Sequence, residues 1–178
     1  MPSTVTTDRR ELWLAVLACA GALLVAHVLG RFMFTPLLPL LIADGMLTLE
    51  QGAQLATWNY IGYLAGALLA LRWHHPDTLR RTLTVGILAN AALTAAQLAT
   101  ADPFALLVLR TLNGASNGIV FVQAPALVLE WLTQRSKAQL SGYTYVGVSI
   151  GMVLTSPMAQ WPADWLHGPE RWLPAAAV

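Results

Sequence analysis

Two arginines in this chain sit inside long apolar stretches, where nothing about spanning or packing calls for a charge. Arg31 and Arg110 are the pair. A guanidinium near the middle of a membrane-crossing helix costs about 2.5–3.5 kcal/mol on insertion scales, so such a residue marks by default a polar cavity or solute path. The chemistry it offers is recognition of an anion through a planar fork of donors. The plainer readings are that Arg31 snorkels to the nearer interface and that Arg110 is paired internally for packing.

Helical spacing groups further polar residues with these two. His27, Arg31 and Thr35 recur at i, i+4 and i+8 and are expected to share a face. Arg110, Asn113, Gly114, Asn117 and Gly118 follow the i, i+3, i+4, i+7, i+8 pattern, giving one face that is both polar and small. Asn59 with Tyr63, then Gly86, Asn90, Thr94 and Gln97, then Tyr143, Gly147 and Gly151 form weaker stripes. The residues expected to line a cavity are Arg31, Thr35, Asn59, Tyr63, Asn90, Arg110, Asn113, Asn117 and Tyr143. Gly62, Gly66, Gly114, Gly118, Gly147 and Gly151 are expected to let helices approach closely. Ordinary helix packing is the competing account of every stripe, and His27 reads as a packing residue before it reads as a proton relay.

Other chemistries find little support. Gly114-Ala115-Ser116-Asn117-Gly118 has the spacing of a nucleophile elbow, but that motif needs a strand–turn–helix context and here lies within an apolar run. No later apolar run supplies a histidine. His74 and His75 are adjacent in a polar loop, His167 is near the C-terminus, and none has Cys or acidic neighbours at ligand spacing, so no metal and no cofactor is expected. The single cysteine, Cys19, reads as a small apolar residue. A net charge of +1 points to no nucleic-acid partner, and the chain is read as no enzyme.

The elements that must hold these residues are membrane helices. The chain is 56% hydrophobic and 11% charged, against about 25% charged in soluble domains. Its mean hydropathy is +0.57. Apolar runs reach the roughly 20 residues needed to cross a bilayer. Five spans are predicted, at about 12–43, 51–73, 83–100, 104–132 and 138–160, followed by a polar tail at 161–178. Pro36 and Pro39 are expected to kink or unwind the far end of the first, and Asp44, Gly45 and Glu50 to form a turn after it. Arg9 and Arg10 before the first run resemble a targeting signal, but successive further runs make this a retained span.

The charges orient the bundle. Arg9 and Arg10, then Arg72, Arg80 and Arg81, then Arg135 and Lys137 fall on one side. Asp44, Glu50, Asp102, Asp164 and Glu170 fall on the other, with Arg171 the only base there. Lys and Arg excess marks the cytoplasm, which predicts an inner-membrane, multi-pass protein with the N-terminus inside and the C-terminus outside.

Several of these segments resemble one family. The stretch from Gly30 to Leu40, GRFMFTPLLPL, is similar to the first-helix signature of the YbfB/YjiJ-like branch of the major facilitator superfamily. The stretch from Asn59 to Leu68, NYIGYLAGAL, resembles its second-helix motif. Arg110 followed by Gly114 and Gly118 resembles the superfamily's fourth-helix pattern, and Gly147 with Gly151 fits the fifth. The segment Leu71-Arg72-Trp73-His74-His75 departs from the superfamily by lacking an acid before the loop, and the fifth helix lacks the Gly-Pro-rich signature of drug/proton antiporters.

The resemblance implies an all-α membrane bundle of about five helices, half of a twelve-helix fold whose solute path lies between two halves. It implies transport of a small solute by alternating access, with Arg31 and Arg110 near the cavity. The chain is expected to be the N-terminal half only, ending where Glu170-Arg171-Trp172 begins a sixth helix. Its expected partners are the lipid bilayer, an unknown small solute, and a missing C-terminal half or another membrane chain. The alternative is a non-transporting remnant or subunit that packs with another membrane chain.

Overall fold

The computed structural model describes residues 8–73, 75–160 and 164–177. The first helix, α1, runs over Arg9–Ala43 and changes character along its length. Arg9–Leu23 is α-helical, Leu24–Phe32 is a π-helix, and Phe34–Ala43 is α-helical again. Asp8 caps it by accepting from the Arg10 N–H at 3.1 Å. The irregular stretch lies just before Pro36 and Pro39. A proline withholds the N–H that the carbonyl four residues back needs, or five back in π register. For Pro36 these carbonyls belong to Phe32 and Arg31, so the ladder fails where the π stretch ends.

After Gly45, whose φ of 72° suits glycine, α2 runs over Leu49–Ala70. Thr48 and Gln51 form a reciprocal capping box at its start. Glu50 is thus in the first turn of α2 and not in the preceding turn. The third helix, α3 (Pro76–Ala96), continues as a 3₁₀ turn over Gln97–Ala99. It begins earlier than the apolar run, because Pro76 occupies its first turn with Asp77 close behind. Arg80 and Arg81 accordingly lie on a helix, where a loop was expected.

The fourth helix, α4 (Pro103–Thr133), has Pro103 at its start and the Asp102 carboxylate accepting from the Ala105 N–H at 2.7 Å. The fifth expected span divides into a 3₁₀ segment, Ala138–Tyr145, and α5, Val146–Gln160. A further 3₁₀ turn over Gly168–Trp172 leads into the short α6, Leu173–Ala176. Residues 164–177 do not form the polar tail that was predicted, since Arg171 and Trp172 are buried. His74 and Trp161 lie outside the described residues.

Three of the helices among the described residues, at Arg9–Ala43, Asp77–Ala99 and Pro103–Thr133, are long and apolar enough to cross a membrane. At 22 residues α2 is also long enough, but Gln51, Gln54, Asn59, Tyr60 and Tyr63 dilute its apolar character. The outer surface carries Leu14, Leu17, Ile61, Leu64, Leu68, Val85, Leu88 and Val153, all well exposed. A surface this apolar on every side suits lipid and not water.

Three apolar clusters stack along the bundle. Leu12, Val16 and Leu132 pack at the end bearing the N-terminus. Cys19, Leu23, Ala26, Val120 and Ala124 form the next. Met33, Phe34, Leu37, Leu41, Leu55, Leu106 and Trp172 close the opposite end. The order shows that α1 and α4 run antiparallel. Between the second and third clusters lies a polar layer.

Candidate functional site

The polar layer is built by α4 reaching across to the π stretch of α1. Asn117 donates its Nδ2 to the Ala26 carbonyl at 2.7 Å. Arg110 donates Nη1 to the Gly30 carbonyl at 3.1 Å and Nη2 to the Arg31 carbonyl at 3.4 Å. Three main-chain carbonyls of the irregular segment therefore find donors on one face of α4. In a water-free interior such groups must be satisfied within the protein. The Arg110 guanidinium also lies 4.5 Å from the Phe34 ring centroid and 5.6 Å from that of Trp172, and the residue is 2% exposed.

The same Asn117 sets the state of His27. With Nδ2 donating to Ala26, Oδ1 is left as the acceptor, so His27 Nδ1 at 2.8 Å carries the proton. The imidazole stacks on Phe121, with centroids 4.6 Å apart, and has Phe32 and Tyr63 at 5.1 and 5.7 Å. It is held as part of an aromatic cluster.

Between α3 and α4 the asparagines form a knot, in which Asn113 Oδ1 has no hydrogen-bond partner among the described residues. Asn113 donates Nδ2 to the Asn90 carbonyl at 3.2 Å and to Thr94 Oγ1 at 3.0 Å. Asn90 donates to Ser116 Oγ at 3.2 Å, and Ser116 donates to the Asn113 carbonyl at 2.8 Å. Ser116 is therefore held between two asparagines and has no histidine beside it. On α2, Asn59 donates Nδ2 to the Arg110 carbonyl at 2.8 Å.

Glycines set the spacing of α2 and α4. A Cβ at Gly62 or Gly66 would run into the backbone of Thr111 or Ala115, and one at Gly114 or Gly118 into that of Asn59 or Tyr63. Gly147 rests in the same way on the backbone of Ala20, joining α5 to α1, and Gly151 is buried further along.

Arg31 sits against aromatic rings, and neither its Nε nor that of Arg110 has a hydrogen-bond partner among the described residues. Arg31 is 8% exposed, and its guanidinium carbon lies over two rings, 4.2 Å from the centroid of Tyr60 and 4.1 Å from that of Tyr63. No carboxylate pairs with either arginine there, the ion pairs being those of Asp44 and Asp77.

The structure thus gathers Arg31, Asn59, Tyr63, Asn90, Arg110, Asn113 and Asn117 in one layer. Thr35 is not among them. The π geometry turns less per residue than an α-helix and shifts the phase, so Thr35 is exposed in a shallow recess with Pro36 and Thr155. Tyr143 is also elsewhere, 53% exposed and edge-on to Trp13 at 5.6 Å, because the 3₁₀ segment holds it apart from Gly147 and Gly151. Phe32, Phe121 and Trp172 belong to the layer's walls and were not singled out in the sequence. Phe121 follows Asn117 by four residues, which is the spacing that reveals it.

At the far end of the bundle Asp44 holds residues 168–171. Its carboxylate accepts from the Gly168 N–H at 2.7 Å and pairs as a fork with Arg171, through Nε and, at 2.7 Å, Nη2. The Arg171 guanidinium keeps the Asp44 carboxyl well below the ordinary carboxylate range. The pair seats Trp172, stacked 6.0 Å from Phe34.

No curated protein and no solved structure matches the chain at a significant level. A family model described as uncharacterised MFS-type transporter YbfB matches residues 23–178. That match takes in the π stretch and all later helices, and with it the chain belongs to the YbfB family of major-facilitator-type membrane transporters.

Proposed function

We propose that this chain moves a small solute across the inner membrane by alternating access, with the polar layer between α1, α2 and α4 forming the wall of the solute path. The observation that carries this reading is Arg31, a buried cation that rests on two tyrosine rings, with no carboxylate beside it among the described residues. A helix bundle that served only as an anchor has no reason to bear that cost. The N-terminus is cytoplasmic in this reading, since the basic residues Arg9, Arg10, Arg80, Arg81, Arg135 and Lys137 gather at its end of the bundle. The exposed side of α2 near Trp58 and Tyr60 is then where the remaining wall packs, supplied by further chain or by another membrane protein.

The test is two-sided labelling. In a Cys19→Ser background, Tyr63→Cys is probed with a membrane-impermeant maleimide in right-side-out and inside-out vesicles. Labelling from both sides, with the two rates shifting in opposite directions as conditions change, is expected. Labelling from one side only under every condition counts against alternating access and favours the non-transporting subunit. A phosphatase fusion at the N-terminus that is active outside the cell overturns the orientation.

A further inference from the structure

We propose that Arg31 is the recognition point for the transported solute, and that this solute is a small organic carboxylate. The proposal deepens the transporter reading and rests on it. Three features of the layer lead to a carboxylate.

The first is charge. Arg31 and Arg110 lie in the same layer with no acid paired to either among the described residues. A buried ion without a counter-charge is retained only where something else brings one. The second is the division of labour between the arginines. Arg110 spends both terminal nitrogens on the Gly30 and Arg31 carbonyls. The Arg31 guanidinium meets the side chains of Tyr60 and Tyr63 and gives no hydrogen bond to a carbonyl among the described residues, so its fork is the one with donors to spare for a ligand.

The third is shape. The rings of Tyr60 and Tyr63 lie against the guanidinium, their centroids 4.2 and 4.1 Å from its carbon. Edge-on, the fork of N–H donors fits a planar carboxylate with two parallel hydrogen bonds. Tyr63 is half-buried, whereas Tyr60 is 56% exposed. Tyr60 is therefore the ring that can swing aside, and with Phe32 5.7 Å from the Arg31 guanidinium it gives the solute's carbon body an apolar wall.

The experiment uses the full chain, purified in nanodiscs and unfolded thermally, with acetate, lactate and benzoate as probes at constant ionic strength. Benzamide, benzylamine, sulfate and inorganic phosphate are the controls. At ten times its dissociation constant a bound carboxylate is expected to raise the melting temperature by about 3–5 °C. Arg31→Gln should abolish the shift, and Arg31→Lys should weaken binding at least tenfold. Tyr60→Leu, at an exposed position, should fold normally and weaken binding several-fold while leaving the preference for carboxylates. No shift with any of the three carboxylates overturns the proposal. So do an equal shift with benzamide or benzylamine, a larger one with sulfate or phosphate, and an unchanged shift in Arg31→Gln. Uptake of labelled carboxylate into proteoliposomes separates the two readings. Binding without uptake leaves the site standing and counts against transport, whereas uptake of a neutral solute that ignores Arg31→Gln does the reverse.

Discussion

Arg110 donates to the main-chain carbonyl of Arg31 at 3.4 Å, while the Nε of each arginine is left without an acceptor. Two buried arginines in one layer have opposite effects on the fold. Losing Arg110 strands the Gly30 and Arg31 carbonyls in a dry interior, at about 1–3 kcal/mol for each unsatisfied group. Losing Arg31 removes a buried charge and strands no main-chain carbonyl. Arg110→Gln is expected to lower the melting temperature by at least about 4 °C. Arg31→Gln should leave it unchanged or raise it. Thermal scans of the two variants side by side decide the matter, and an equal loss in both overturns the division.

The contact between α2 and α4 leads to a second prediction. A methyl group at Gly62 or Gly114 meets backbone, which cannot rotate away. Overpacking of this kind costs about 1–3 kcal/mol. Gly62→Ala and Gly114→Ala should each destabilise measurably in denaturant titrations. Gly142→Ala, where a Cβ meets nothing within 4 Å, should be neutral.

The asparagine knot should matter less. Hydrogen bonds between membrane helices average about 0.6 kcal/mol, with a maximum near 1.7. Asn113→Leu, which breaks the bonds to Asn90 and Thr94, is therefore expected to cost less than either glycine change. The same titrations rank the variants, and a reversed order means the knot, and not the glycine seam, holds this layer.

Acid should loosen the far end of the bundle. The Asp44 carboxyl is depressed in the folded protein by Arg171. A depressed carboxyl contributes stability that is complete above its unfolded value, about 3.9, and is lost as pH falls through the lower folded value. Proteolysis or hydrogen exchange at residues 168–172 should be flat from pH 7 to about 4 and rise below it. Asp44→Asn removes the dependence and costs on the order of 2 kcal/mol at neutral pH, the worth of hydrogen bonds to a charged group.

Much of the bundle is legible in the sequence, for identifiable reasons. Caps at Asp102 and Thr48 and the long apolar run of α4 fix those helices, and the i, i+3, i+4 spacing puts Arg110, Asn113 and Asn117 on one buried face. Thr35 and Tyr143 were placed in the layer by assuming an unbroken α-helical phase, which the π stretch and the 3₁₀ segment interrupt. Hydropathy located α3 by its apolar run and so missed its polar first turn at Pro76 and Asp77. The Asp44–Arg171 pair joins residues 127 apart and has no local signature at all.

The glycine seam also says which parts of the molecule move together. Two backbones meshed at Gly62, Gly66, Gly114 and Gly118 have no side chains between them to act as a lubricant. Sliding one past the other would drive each peptide over its neighbour, so α2 and α4 travel as one rigid body. In the proposed alternating access, the bending is expected where the peptide ladder is already broken, at the end of the π stretch around Met33, two residues from Arg31.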